Sequence, residues 1–282
     1  MSSSEVRVWV NGALVGADQP AVSALDHGVT VGDGAFETCK IEDGQVFAAS
    51  RHARRLDGTL SGLGLPEADH DYIAEGVKAV LAAGDPIPFG RLRYSITGGA
   101  GPLGSDRDHS PLTYIVTAGP QSRPPASAAL AVVPWVRNER SAVAGLKTTS
   151  YAENVVALAY AKERGAIEAV FANTRGELCE GTGSNVFVVR DGVVWTPPLG
   201  SGCLAGVTRA LAVEWCREDG IEVREEAMPL EVLKDCDEVF ITSSTKDVLA
   251  IDRVDDRVVA AGPVTARAAE VFARLSAERI DP

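Results

Sequence analysis

The sequence predicts an α+β fold in two domains. Three observations carry that reading. Strand patterns outnumber helical ones, the two do not alternate as βαβ units would, and a Pro/Gly-rich stretch, Gly119-Pro120-Gln121-Ser122-Arg123-Pro124-Pro125-Ala126, divides the chain. With 282 residues, 45% hydrophobic and 23% charged, the chain has apolar residues enough for packed cores. The expected organisation is an N-terminal domain over residues 1–118, a linker over 119–128 and a larger domain over 129–282.

Each element has its own signal. Residues 6–10 alternate and Asn11-Gly12 is a hairpin turn; residues 35–41 and 45–48 flank Glu42-Asp43-Gly44 as a second hairpin. Ser50 is the expected cap of a helix to Leu63, and Asp69 that of a helix to Ala83. Strands follow at 91–97 and 112–118, with the Gly-, Pro- and Asp-rich residues 98–111 between them as an expected mobile loop. Beyond the linker come a strand at 129–136, a helix at 152–164 and strands at 168–172, 184–189 and 193–196, with Asp191-Gly192 turning between the last two. A helix over 207–219, strands at 221–224, 238–242 and 248–251, and a helix from Val264 complete the chain. No internal repeat is visible.

Composition excludes several classes. The 27 Lys and Arg stand against 39 Asp and Glu, and a net charge of −12 argues against nucleic acid or an anionic membrane as partner. No apolar run reaches the length of a bilayer span, and the first twelve residues lack the features of a secretory leader. The five cysteines are scattered without a C-x-x-C pair, and the four histidines have no partner at ligand spacing, so neither a disulfide framework nor a metal site is expected. The expected location is the cytoplasm.

One lysine differs from the rest. Five of the six (Lys40, Lys78, Lys162, Lys234, Lys246) have an acid within three residues and read as solvated pairs. Lys147 lies in Ala142-Val143-Ala144-Gly145-Leu146-Lys147-Thr148-Thr149-Ser150-Tyr151-Ala152, which holds no other charge and joins a strand to a helix. A partly desolvated amine away from carboxylates suits Schiff-base chemistry; the plainer reading is a lysine reaching from a loop to water. The turn Gly200-Ser201-Gly202-Cys203-Leu204-Ala205-Gly206-Val207-Thr208-Arg209 opens a helix, where backbone amides and the Thr208 hydroxyl suit a phosphate. Its G-x-G-x-x-A pattern, with Glu222 downstream, also fits a dinucleotide, although Pro197-Pro198 break the strand before it. Glu180 reads as a turn carboxylate before a buried strand, facing water or a heterocyclic nitrogen. Arg55, beside Arg54 on the first helix, reads as a surface arginine, and Ser243-Ser244 end a strand.

Together these pieces resemble the class IV pyridoxal-phosphate aminotransferases, the fold-type IV family, along nearly the whole chain. The motifs arrive in order: Asp26-His27-Gly28 with Gly32-Asp33-Gly34-x-Phe36-Glu37; His52-x-x-Arg55-Leu56; Lys147 with Tyr151; Glu180-Gly181-x-x-x-Asn185-x-Phe187; Leu204-x-Gly206-Val207-Thr208-Arg209; and Thr242-Ser243-Ser244. The resemblance implies a small N-terminal α/β sandwich, a larger cofactor-binding pseudo-barrel with the site between them, and pyridoxal 5′-phosphate (PLP) as cofactor. It implies that Lys147 forms the Schiff base and shuttles a proton, that Glu180 keeps the pyridine nitrogen protonated, and that Tyr151 meets the phenolic oxygen. Arg55, the Val207 and Thr208 amides, the Thr208 hydroxyl and Ser244 would hold the phosphate, with Gly183, Leu204, Gly206 and Ser243 also at the cofactor. A homodimer is implied, whose second subunit lends residues near Asp26-His27-Gly28 and after Gly98.

Substrate class is less legible. D-alanine-type members end the strand at Thr97 with Thr-Arg-Gly, where this chain has Thr97-Gly98-Gly99; branched-chain members carry Tyr-x-Arg-Pro, where it has Arg91-Leu92-Arg93-Tyr94. Phe36-x-Thr38 and the Gly-rich residues 98–104 are similar to aminodeoxychorismate lyases, whereas residues 180–187 and 242–247 are closest to D-amino-acid aminotransferases. The expected activity is transamination between a D-amino acid, with (R)-amines also admitted, and a 2-oxo acid. The alternatives are the lyase, a branched-chain L-enzyme or a dinucleotide-binding protein. Phe36, Thr38, Arg91 and Arg93 are the expected substrate contacts; the two arginines share strand parity and form the candidate carboxylate clamp, with Arg107 in the following loop as the reserve.

Overall fold

A computed structural model describes residues 6–108 and 110–282. The chain divides into two compact units. One runs to Arg123 and takes in Leu146–Tyr151 and Ile280–Pro282; the other comprises Pro124–Gly145 and Ala152–Arg279. The expected boundaries therefore shift in two places. Gly119 and Pro120 close a strand rather than open a linker, and Lys147 with Tyr151 sits in the first unit rather than the second.

The first unit holds β1 (Arg7–Val10), β2 (Ala13–Val15), α1 (His27–Thr30), β3 (Gly34–Glu42), β4 (Gln45–Val46), α2 (Ala49–Leu63), α3 (His70–Ala82), β5 (Phe89–Thr97) and β6 (Thr113–Pro120). Its six-stranded antiparallel sheet has the order β2-β1-β6-β5-β3-β4. Leu56 and Leu60 of α2, with Ile73 and Val80 of α3, pack on Trp9, Cys39, Leu92, Ile96 and Val116, which face one side of that sheet. Gly76 permits this approach, since a Cβ there would stand 2.7 Å from the Trp9 ring. Asp69 caps α3 as expected, accepting from Tyr72 N at 2.9 Å. Ser50 does not cap α2. Ala48 holds the cap position in the left-handed region, and Ser50 N donates to Asp281 Oδ1 at 2.9 Å, so a distant carboxylate satisfies the helix start.

Within residues 98–108, expected as part of a mobile loop, Gly101, Pro102 and Arg107 are held by hydrogen bonds. Gly101 N donates to Leu25 O at 3.0 Å and His27 Nε2 meets Pro102 O at 3.0 Å. Arg107 grips both oxygens of Asp33, at 2.7 and 2.6 Å, and donates to Leu63 O and Gly64 O. His109 lies outside the described residues.

The second unit holds β7 (Ser127–Arg137), α4 (Ala152–Glu163), β8 (Glu168–Asn173), β9 (Leu178–Gly181), β10 (Asn185–Arg190), β11 (Val193–Thr196), α5 (Val207–Glu218), β12 (Val223–Glu225), β13 (Glu238–Ser243), β14 (Asp247–Val254), β15 (Arg257–Val258) and α6 (Pro263–Glu278). Its mixed sheet runs β12-β11-β10-β13-β14-β7-β8-β9, with β15 on β14. Val170, Val186, Val188, Val239, Ile241, Leu249 and Ile251 form its core with Val232 and Leu233. Among the described residues no helix is long and apolar enough to cross a membrane.

Candidate active site

In the first unit the site is built on β3. Strand alternation turns Ala35, Glu37 and Cys39 toward α2, and Phe36, Thr38 and Lys40 to the opposite face. Register pairs Phe36 with Ser95, Thr38 with Arg93 and Lys40 with Arg91. Residues 147–149 lie along the start of β3: Phe36 N donates to Lys147 O at 3.0 Å, and Thr149 N to Gly34 O at 2.8 Å. Lys147 N donates in turn to Thr59 Oγ1 at 3.3 Å. With its backbone held, Lys147 places Nζ 4.5 Å from the Phe36 ring centroid and 5.9 Å from that of Tyr151. The two rings meet edge to face at 5.1 Å. Aromatic faces remove water from an amine while still favouring its cation.

Arg93 joins this group. Its guanidinium lies 3.8 Å from the Phe36 centroid, and Nε donates to Ser95 Oγ at 3.3 Å. Arg91 shares the face, as the parity predicts, but stands one residue pair further along, opposite Lys40. The structure thus brings Lys147, Tyr151, Phe36, Arg93 and Thr38 together and leaves Arg91 at their margin. Arg107, bonded to Asp33 and two carbonyls, is already committed.

Behind β3 lies an ionic cluster. Glu37 is fully buried; it accepts from Arg55 Nε at 2.8 Å, Arg55 Nη2 at 2.5 Å and His52 Nδ1 at 2.6 Å. Burial alone would push the Glu37 carboxyl up, but the Arg55 charge and the hydrogen bonds from Arg55 and His52 outweigh it and bring it to about 2. Burial lowers the His52 imidazole pKa, and Glu37 only partly restores it. Arg55 is therefore not the surface arginine its sequence position suggests. Glu37 and His52 fall inside the quoted motifs but were not among the expected site residues; an acid fifteen residues before a His-x-x-Arg is the signal that pairs them.

In the second unit Glu180 lies within β9, not at a turn, because it pairs across the ladder with Phe171. Its Oε2 accepts from Leu204 N at 2.9 Å, and Arg137 Nε stands 3.2 Å from its Oε1. Arg137 also bonds Glu153 and Asn154, and its guanidinium lies over the Phe171 ring at 4.2 Å. Asn185 Nδ2 donates to Leu204 O at 2.9 Å, which ties the next turn down. There Gly206 caps α5 without a side chain, since a Cβ would stand 2.0 Å from Asn185 Oδ1. The first-turn amides of Val207 and Thr208 have no acceptor within their helix, and the positive helix end faces the same way. Ser243 ends β13 with Ser244 beside it, and Gly183 lies in the turn after β9.

Each unit by itself carries groups whose chemistry suits PLP: in the first, an amine against aromatic rings; in the second, a carboxylate held by an amide and an arginine, and a helix start whose first amides have no acceptor within the helix. Two of the lysines read as solvated pairs do not behave so. Lys40 is buried beside Phe47, and Lys246 pairs with the buried Glu168 at 2.9 Å.

Comparison with known proteins agrees with this chemistry. The model of the amino-transferase class IV family matches residues 34–254. The chain is 32% identical over 278 residues to a putative branched-chain-amino-acid aminotransferase of Methanocaldococcus jannaschii, covering 95% of each chain. It is 30% identical to a D-alanine aminotransferase of Staphylococcus epidermidis, covering 92% of each. The crystal structure of the branched-chain amino acid aminotransferase of Escherichia coli superposes with a TM-score of 0.88 at 26% identity, covering 95% of this chain and 94% of that one. The α+β fold expected from the sequence is the fold of these enzymes. With the motifs in order, the lysine among its rings and these relatives, the chain belongs to the class IV aminotransferases, enzymes that work with pyridoxal phosphate.

Proposed function

We propose that this aminotransferase moves an amino group between a D-amino acid, with (R)-amines also accepted, and a 2-oxo acid. The observation that carries the reading is the Arg93–Phe36–Lys147 group, which sets a guanidinium and an amine on one aromatic ring. The guanidinium recognises a carboxylate, and the amine reacts beside it. The D preference rests on residues 180–187 and 242–247 and on the similarity to a D-alanine aminotransferase.

Bound PLP supplies an aldehyde for the amine and a ring that accepts the electron pair left when the substrate's α-proton departs. Lys147 Nζ would hold the cofactor and would serve as the general base for the substrate's α-proton. Glu180 holds the proton on the ring nitrogen, its own place set by Leu204 N and Arg137. Tyr151 donates to the phenolic oxygen. The Val207 and Thr208 amides, with the hydroxyls of Thr208, Ser243 and Ser244, bind the phosphate, and Arg55 adds its charge. Phe36 and Thr38 line the substrate side, where Arg93 binds the carboxylate.

We further infer that the protein works as a homodimer in the cytoplasm. Leu25, Val29, Val31 and Leu103 are exposed near α1 and the 98–111 loop, and a second copy of the chain would cover them. The five cysteines are buried free thiols, which suits a reducing compartment. Light scattering on the purified enzyme tests the dimer; a monomeric mass rejects it.

A single-turnover panel tests the substrate. D- and L-amino acids, (R)- and (S)-amines and aminodeoxychorismate are each mixed with the loaded enzyme, and loss of the lysine–cofactor absorbance is timed. Faster discharge by L-leucine than by any D-amino acid rejects the D reading. Pyruvate and 4-aminobenzoate formed from aminodeoxychorismate would make the enzyme a lyase.

A further inference from the structure

Outside the residues already assigned a role, the second unit carries a buried carboxylate with an unusual number of donors. Glu168, the first residue of β8, is 2% exposed. Its Oε1 accepts from Thr182 N at 3.0 Å and from the Thr182 hydroxyl, and from Ala169 N at 3.2 Å. Its Oε2 accepts from Ser184 Oγ at 3.0 Å and Lys246 Nζ at 2.9 Å. Burial alone would push the carboxyl up; the Lys246 charge and the hydroxyls outweigh it and hold it below its ordinary range.

Apart from Ala169 N within β8 itself, the donors come from two turns. Thr182 and Ser184 belong to the turn between β9 and β10, directly after Glu180, and Gly181 N donates to Ser184 O across it. Lys246 belongs to the turn between β13 and β14, closed by Lys246 N donating to Ser243 O at 3.1 Å. Asn185 opposes Thr242 in the ladder, so both turns lie at one end of the β10–β13 pair. Backbone pairing stops there. From that point Glu168 joins the one turn to the other, and a turn so joined cannot pivot about its strand ends.

We propose that Glu168 is a positioning residue for the cofactor's phosphate, clamping the turn that carries Ser243 and Ser244 to the turn that follows Glu180. The inference rests on the phosphate role given above to Ser243 and Ser244. Lys246 is the arm of the clamp, and Thr182 and Ser184 are its base.

The test strips PLP from the full-length enzyme and titrates the protein with PLP and, separately, with pyridoxal, which lacks the phosphate. Tryptophan fluorescence reads both. Glu168→Gln keeps the shape and removes the charge; Lys246→Met acts at the partly exposed end, where folding is least at risk. Each variant should bind PLP about tenfold more weakly or worse while binding pyridoxal as before. The double variant should be no weaker than Glu168→Gln alone, since both act through one ion pair, and Lys246→Arg should restore much of the loss. PLP affinity unchanged in Lys246→Met overturns the proposal. So does an equal loss for PLP and pyridoxal, which is the mark of general damage. Ser244→Ala leaves the clamp intact, so unchanged PLP affinity in that variant would instead reject the phosphate role itself.

Discussion

Arg137 Nε stands 3.2 Å from Glu180 Oε1, while the other Glu180 oxygen accepts from Leu204 N at 2.9 Å. Both oxygens of the carboxylate proposed to face the ring nitrogen are thus held in place. Glu180→Gln should therefore lower kcat by more than it weakens PLP binding, because the phosphate contacts remain and only the proton-holding charge is lost. Arg137→Met should lower kcat in the same direction by a smaller factor. Steady-state kinetics beside PLP titration checks both; equal kcat in Glu180→Gln would make Glu180 a ladder residue only.

Lys147 should carry the cofactor covalently. Borohydride reduction of the loaded enzyme followed by peptide mapping should find the pyridoxyl group on Lys147 and on no other lysine. Lys147→Ala should abolish turnover yet retain PLP through the phosphate contacts, a loss of chemistry greater than the loss of binding.

Arg93 and Arg91 should separate in their effects. Arg93 shares a ring with Lys147, whereas Arg91 lies opposite Lys40. Arg93→Leu should cost about 1.5–3 kcal/mol in kcat/KM for amino acids and 2-oxo acids, a loss of about ten- to a hundredfold. Activity on (R)-1-phenylethylamine, which has no carboxylate, should change far less, and Arg91→Leu should be milder on every substrate. A uniform loss across both substrate types in Arg93→Leu would mean damage to the sheet face rather than a lost clamp.

Glu37 should govern acid stability in the first unit. Its carboxyl is lowered from 4.5 to about 2, so its contribution to folding is present above pH 4.5 and is lost as the pH falls toward 2. The loss over that window is on the order of 3 kcal/mol. Thermal melts from pH 7 to pH 2 should show Tm falling through the window in the wild type. Glu37→Gln should start from a lower Tm at pH 7 and fall less steeply.

Much of the frame was legible because its signals are local. Asn11-Gly12 and Asp191-Gly192 take positive φ where the hairpins required it, and β3, β5, α3 and α5 lie close to their expected bounds. The six motifs point to candidate cofactor residues for the same reason, since each is a short run of sequence. What escaped was non-local. Glu180 looks like a turn residue until Phe171 is placed beside it, and β9 is only four residues long. Lys246 looks paired with Asp247, but its partner Glu168 is 78 residues away, and Thr182 and Ser184 lie 14 and 16 residues from that carboxylate. Ser50 looks like a cap, yet its backbone amide is taken by a carboxylate 231 residues further on. In each case the missing information is a partner distant in the chain that no short window displays.

The seat of Asp281 on the start of α2 has a consequence for how the chain comes to fold as it is made. Ala48 N donates to Ile280 O at 2.8 Å, and Arg51 Nε to Pro282 O at 2.9 Å, so three residues at the far end complete the first turns of the helix that bears His52 and Arg55. Residues 146–151 must also arrive before the edge of β3 is covered. Domains usually finish in the order of synthesis. Here the unit that emerges first from the ribosome is the last that can close, and until residue 282 is made the start of α2 waits for its cap.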